Sequence, residues 1–229
     1  MKKTVLLASA AVFALCAGAA SAAPGVTSKG SNHFAHHVVH HASPPSVVLW
    51  DQDSDDSGIG LVSQNFESSF DQYDAQAADD FTVPQHGRWT VKEVDTTGVY
   101  FNGSGPAPSV HVTFYDDAGG LPGAAIADFP SVVPASDDFG SFAIKLPSKV
   151  KLRKGTYWVS VYVNMDFAAG GEWGWENTST AQNGSPAAWR NPGDGFATGC
   201  TDWSQENVCI AAGQGPDHLF VLRGKSKGG

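Results

Sequence analysis

The sequence has little charge and little cysteine. Charged residues make up 16% of the 229 residues. The chain has 14 Lys and Arg and 23 Asp and Glu, which gives a formal net charge of −9. Nucleic acid is therefore not an expected partner. The chain also lacks a Gly-x-Ser-x-Gly elbow, a phosphate-binding glycine loop, a zinc-protease motif and the Cys/His spacing of zinc modules. The absence of these motifs favours a protein that is not an enzyme.

Long apolar runs are scarce as well, and the main one lies at the N-terminus. Lys2 and Lys3 precede an apolar stretch over 5–20, which ends in the small residues of 20–22. This order is typical of a secretory signal peptide, and we predict cleavage after Ala22. The run is shorter than the roughly 20 residues that a spanning helix needs. We therefore expect a secreted protein, extracellular or periplasmic, without a membrane span.

Cleavage removes Cys16 and leaves Cys200 and Cys209 as the two cysteines of the mature chain. In an oxidising compartment two cysteines this close in sequence are expected to form a disulfide. The remaining side chains carry a formal charge of −11, from 12 basic and 23 acidic groups.

Residues 23–45 are rich in Gly, Ser, Ala and His and predict a flexible leader. If part of it is helical, the pairs His36/His40 and His37/His41 have the i, i+4 spacing that could chelate Zn, Cu or Ni. A disordered tract with titratable side chains is the favoured alternative.

Residues 51–80 hold nine acidic residues and neither Lys nor Arg. An EF-hand is excluded, because Asp56 replaces the turn glycine and Val62 stands where the bidentate Glu should be. An irregular, weak Ca²⁺ site remains one reading, and a solvated acidic loop is the other. The candidate calcium ligands are Asp51, Asp53, Asp55, Asp79 and Asp80.

The rest of the chain has the pattern of an all-β protein. Its 26 Gly and 13 Pro, with 13 Phe and 7 Trp, are typical of many strands joined by tight turns. The stretch 155–165 alternates with period two and predicts a central strand, with Tyr157, Val159, Val161 and Val163 facing the core and Trp158, Ser160, Tyr162 and Asn164 facing the other way. In 149–153, Lys and Arg alternate with Val150 and Leu152, which predicts a basic edge strand.

We therefore predict one antiparallel β-sandwich of jelly-roll type over 46–223, followed by a disordered tail over 224–229. The protein is expected to be a monomer.

Five stretches carry a resemblance to a known kind of protein: 63–67, 77–81, the turn 119–123, 155–158 and 171–176. Over roughly 47–223 the chain resembles a secreted bacterial β-sandwich module of the kind found alone or appended to extracellular enzymes. The resemblance implies fold and location, and it carries no catalytic residues.

Aromatic residues lie beside carboxylates in the Gly-rich C-terminal part. Such a combination can bind sugar rings by stacking and by hydrogen bonds. The candidate ligand-binding residues are Trp173, Trp175, Trp189 and Trp203, with Glu172, Glu176 and Asn177 as polar partners. For any single Trp, burial in the core is the more frequent outcome.

These observations predict a secreted, non-catalytic binding module directed to a polysaccharide or cell-surface glycan. The first alternative is a glycosidase-like hydrolase that uses Glu172 and Glu176. Residues i and i+4 of one strand lie about 13 Å apart, whereas glycosidase carboxylates lie about 5 to 9.5 Å apart, so this reading requires a bend at Gly174. The second alternative is a purely structural surface protein.

Overall fold

The computed structural model describes residues 25, 27–29, 46–182, 184–210 and 216–227. The predicted signal peptide lies outside the described residues, as do the leader histidines. Within the leader predicted to be flexible, residues 27–29 instead form a strand that pairs with residues 59–61. In the described part the strands are β1 (Thr27–Lys29), β2 (Val47–Asp51), β3 (Asp56–Val62), β4 (Gln64–Asn65), β5 (Gln76–Thr96), β6 (Gly98–Phe101), β7 (Ser109–Asp117), β8 (Pro122–Val132), β9 (Ser136–Asp138), β10 (Ser141–Asn164), β11 (Glu172–Thr178), β12 (Ala188–Arg190), β13 (Ser204–Gln205) and β14 (Phe220–Lys227). The helices are a 3₁₀ turn (Asp71–Tyr73), α1 (Phe167–Gly170) and α2 (Glu206–Cys209).

Two sheets, antiparallel except where β4 pairs with β10, make up the fold, which confirms the all-β prediction. The smaller sheet has the order β1-β3-β11-β6, and the larger one runs β13-β12-β5-β10-β7-β8 with β14 and β2 added beside β5. The long strands β5 and β10 pair along most of their length, with register shifts between Lys145 and Val150 and between Arg153 and Gly155. Those irregularities divide the larger sheet into two halves, one flanked by β7 and the other by β14.

The predicted central strand is confirmed as the C-terminal half of β10, paired with β5 on one side and β7 on the other. Val159, Val161 and Val163 are fully buried in the main core with Phe81, Phe114 and Trp175. This core contains residues of both sheets, as a sandwich requires.

The opposite face of β10 is covered in part. Trp158 is fully buried in a second, smaller cluster with Ala78, Tyr115 and Ala188, against which Trp203 packs. We call this side of the larger sheet, which points away from the main core, the β10 outer face. The predicted disulfide is present between Cys200 and Cys209 and closes the segment that carries Trp203.

The prediction for the C-terminus is wrong in one respect. The last strand does not end at Arg223 but continues through Lys227, and residues 224–227 pair with β5. The composition of this polar segment predicts a disordered tail, but backbone hydrogen bonds to β5 hold it in the sheet. None of the helices in the described ranges is long and apolar enough to cross a membrane.

Candidate functional site

Three of the four predicted platform tryptophans belong to the core. Trp173, Trp175 and Trp189 are fully buried. Their indole N–H groups donate to the backbone carbonyls of Gly140, Leu219 and Val62, at 2.7, 2.8 and 2.9 Å. A buried indole with a satisfied N–H stabilises the fold and offers no surface to a sugar. The interpretation of these three residues as an exposed platform is therefore wrong.

The polar partners predicted beside them are also buried. Asn177 donates through its Nδ2 to Glu206 Oε1 at 2.9 Å, and Glu172 Oε2 accepts from Asn102 Nδ2 at 2.5 Å. Burial raises the pKa of Glu172 to about 7 against the opposing effect of the Asn102 hydrogen bond. Burial also raises the pKa of Glu176 to about 7, and the charges of Asp56 and Asp53 add to that shift.

The glycosidase alternative depends on the spacing of Glu172 and Glu176. Both side chains lie on the face of β11 opposite Trp173 and Trp175, as alternation predicts. The strand continues through Gly174, which pairs with Val62 and Val99. Without a bend the spacing stays near 13 Å, beyond the range of a carboxylate pair that acts on one glycosidic bond.

The five predicted calcium ligands do not lie together. Asp79 and Asp80 are buried, and as neighbours in β5 their side chains point to opposite faces of the sheet. Asp51, Asp53 and Asp55 are exposed, and Asp53 and Asp55 accept hydrogen bonds from Thr97 and Thr180. Within the described ranges no group of three or more His, Cys, Asp or Glu side chains is arranged to hold a metal ion. Calcium binding therefore stays a prediction, and the described residues contain no group of ligands for it.

A cluster of half-exposed polar and aromatic side chains lies instead on the β10 outer face. Neighbouring strands bring it together, since β10 lies between β5 and β7 and β12 pairs with β5. Its members are Gln76 of β5, His111 of β7, Tyr162 and Asn164 of β10, Arg190 of β12 and Trp203 of the disulfide-closed segment. We call these six residues the outer-face cluster.

One half of the cluster is a chain of hydrogen bonds across three strands. Asp128 Oδ1 of β8 lies 2.6 Å from His111 Nε2, and His111 Nδ1 contacts the Tyr162 hydroxyl. Tyr162 and His111 are opposite each other in the ladder, which fixes this contact. Although partial burial raises the pKa of Asp128, hydrogen bonds from His111 and Thr113 outweigh it and lower that pKa below its ordinary value. An ionised Asp128 accepts from Nε2–H, so Nδ1 of the neutral ring accepts from the Tyr162 hydroxyl.

This Asp–His–Tyr order resembles that of a nucleophilic triad, but the tyrosine is not activated. Burial raises the pKa of Tyr162, and the charges of Tyr115 and Asp128 raise it further. The phenol therefore stays neutral, and the chain fixes its orientation rather than producing a phenolate. Because its proton is donated to His111, its oxygen is left to accept hydrogen bonds.

The other half of the cluster is built around Arg190. Its Nε and Nη2 donate to Gln76 Oε1 at 2.9 and 2.6 Å, and its guanidinium lies 4.5 Å from the centroid of the Trp203 ring. Trp203 also meets Tyr115 edge-on, with ring centroids 5.8 Å apart. Cation–π contact and edge packing hold the partly exposed indole in one orientation. Gln76 uses its carbonyl for Arg190, and its amide N–H groups have no hydrogen-bond partner among the described residues, so they can donate to a ligand.

Two concave spaces adjoin this cluster. A cleft of about 170 Å³ is lined by Gln76, Tyr162 and Asp74, and a larger one of about 450 Å³ is lined by Asn164, Met165 and Phe66. Asn65 lines both. Burial raises the pKa of Asp74 to about 6 against the opposing Phe66 N–H hydrogen bond, and the charge of Asp71 also raises it. Together, the clefts and the cluster combine an aromatic surface with oriented donors and acceptors, as small polar ligands require.

Comparisons with protein-family models, with curated proteins and with solved structures find no match for this chain. Sequence reasoning identified Trp203 and placed Tyr162 and Asn164 away from the core. It missed Gln76, Arg190 and Asp128, because strand pairing between distant segments brings them to the site.

Proposed function

We propose that this protein is a secreted, non-catalytic binding module that holds a carbohydrate on the β10 outer face. The observation that carries the proposal is the outer-face cluster, in which a partly exposed indole lies beside oriented hydrogen-bonding groups and two clefts. A sugar has apolar C–H faces that stack on aromatic rings and hydroxyls that both donate and accept. Trp203 supplies the stacking surface, the Tyr162 oxygen accepts, and Gln76 and Arg190 donate.

A binding role fits the chemistry of the cluster better than hydrolysis. Neither Tyr162 nor the Glu172/Glu176 pair has the activation or the spacing that hydrolysis of a glycosidic bond requires. Every polar group of the cluster that we assign to the ligand is instead held in place by a neighbour, and such preorganisation reduces the entropy cost of binding.

A glycan array at neutral pH, with and without added Ca²⁺, tests the proposal. Wild-type protein is expected to retain a defined set of glycans, and Trp203→Ala to lose them while its melting temperature falls by at most about 4 °C. Calcium-dependent retention would support the predicted calcium site separately. No retention by wild type, or equal retention by Trp203→Ala, would contradict the proposal.

A further inference from the structure

Positive charge is concentrated at one end of the larger sheet. Of the 14 Lys and Arg in this acidic chain, nine lie on adjoining stretches of β5, β10 and β14: Arg88, Lys92, Lys145, Lys149, Lys151, Arg153, Lys154, Lys225 and Lys227. We call these nine residues the basic pole. Eight of the nine are exposed, and Lys92 is half-buried. Arg153 and Tyr162 of the outer-face cluster are nine positions apart in β10, which is about 30 Å along the strand.

Strand register places these charges side by side. Arg88 pairs with Arg153 on one side and with Lys227 on the other, so three cations form a row across neighbouring strands about 4.8 Å apart. Two positions further along β5, Thr90 pairs with Lys151 of β10 on one side and with Lys225 of β14 on the other. Directly opposed like charges destabilise a sheet. This arrangement therefore costs folding free energy that a bound anion would offset.

Little within the protein compensates the pole. In the described part of the chain none of its nine residues forms an ion pair, whereas the nearby Arg223 pairs with Asp95 at 2.5 Å. Two grooves lie on the pole. One, of about 530 Å³, is lined by Lys92, Lys145 and Lys149, and the other, of about 770 Å³, by Arg88, Arg153 and Lys227. Glu93 is the one acidic side chain among the described residues that line them.

We propose that the basic pole binds an acidic polysaccharide, through carboxylate or sulfate groups spaced along the polymer. The choice of a glycan rests on the proposed function. No Phe, Tyr or Trp among the described residues lines either groove, whereas single-stranded nucleic acid binding combines cations with aromatic stacking surfaces. Rows of exposed cations fit a linear polymer, and the net negative charge of the remaining surface directs such a polymer to the pole.

Binding to alginate, which carries carboxylates, and to heparin, which also carries sulfates, tests the proposal by isothermal titration calorimetry. Dextran serves as a neutral comparison, and duplex DNA and phosphatidylserine vesicles as other anions. The test variant is Arg88→Gln/Arg153→Gln/Lys227→Gln. The matched control, Arg88→Lys/Arg153→Lys/Lys227→Arg, keeps the charge.

We expect wild type to bind alginate, heparin or both more tightly than DNA or vesicles, and affinity to fall about tenfold or more between about 50 and 200 mM salt. The Gln variant is expected to lose about tenfold or more in affinity, and the control to stay within about threefold. Trp203→Ala should retain this binding, so failure of the outer-face site and failure of the pole are distinguishable. No binding of either polysaccharide, equal binding by the Gln variant, or preference for DNA or vesicles would overturn the proposal.

Discussion

At the scale of single residues, the structure assigns different roles to tryptophans that look alike in the sequence. Trp175 stacks on His218 with ring centroids 4.7 Å apart and is fully buried, whereas Trp203 is partly exposed and contacts Arg190. Trp175 therefore contributes to core packing, and Trp203 exposes part of its ring to solvent. Substitutions at the two positions should therefore have opposite consequences.

We expect Trp175→Ala to lower the free energy of unfolding by about 3 to 5 kcal/mol, because it leaves a large cavity and removes the indole hydrogen bond to the Leu219 carbonyl. Trp203→Ala should cost about 1 kcal/mol or less, as is usual for a partly exposed side chain. Urea denaturation followed by far-UV circular dichroism measures both. A loss at Trp203 as large as that at Trp175 would place Trp203 in the core.

The hydroxyl of Tyr162 is the second test at this scale. Tyr162→Phe removes an oriented acceptor and the partner of His111 Nδ1. Loss of one hydrogen bond of about 1 to 1.5 kcal/mol lowers the affinity for a glycan identified on the array by about 5- to 10-fold. Tyr157→Phe, on the core-facing side of the same strand, is the matched control and should bind as wild type does. Equal affinities of the two variants would contradict the role given to the hydroxyl.

At the scale of elements, the disulfide-closed segment holds Trp203 against the sheet. Cys200 and Cys209 are nine positions apart, with Cα atoms separated by 5.8 Å. By the loop-entropy model the double substitution Cys200→Ser/Cys209→Ser lowers the free energy of unfolding by about 2 to 3 kcal/mol. Faster amide hydrogen exchange is expected between Arg190 and Cys209, with unchanged exchange in β10. Uniform protection in the variant would show that the disulfide does not restrain this segment.

The sequence was sufficient for elements whose pattern is local. Alternation identified the C-terminal half of β10. The alternation over 149–153 predicted a basic edge strand, and in the described structure this stretch pairs with β5 on one side and with no strand on the other. Alternation assigns two faces to β11, but it does not tell which face meets the other sheet, so the role of Trp173 stayed open. The extension of β14 to Lys227 depends on pairing with a strand more than 130 residues away, which local pattern does not encode.

At the scale of the whole molecule, buried acids determine how stability depends on pH. The pKa values of Glu172 and Glu176 are raised from 4.5 to about 7, mainly by burial. Between these values the folded state binds more protons than the unfolded state, so the stabilisation is complete below about pH 4.5 and is lost as pH rises through about 7.

We therefore expect the melting temperature to fall between about pH 5 and pH 8, with each group contributing on the order of 2 kcal/mol. Glu176→Gln stays neutral and should flatten this dependence. Differential scanning calorimetry across the range, with Asp116→Asn as an exposed-acid control, checks the sign. A melting temperature that rises steadily from pH 5 to pH 8 would contradict it.

The claim that a glycan binds at Trp203 is tested most directly by two-dimensional ¹H–¹⁵N NMR of the indole N–H groups during titration with a glycan identified on the array. If the glycan binds at the outer-face cluster, we expect the Trp203 signal to shift progressively to saturation. The signals of Trp173, Trp175 and Trp189, whose N–H groups donate to buried carbonyls, should stay in place. A saturating titration that leaves the Trp203 signal unmoved would contradict the assignment of the binding site to the β10 outer face.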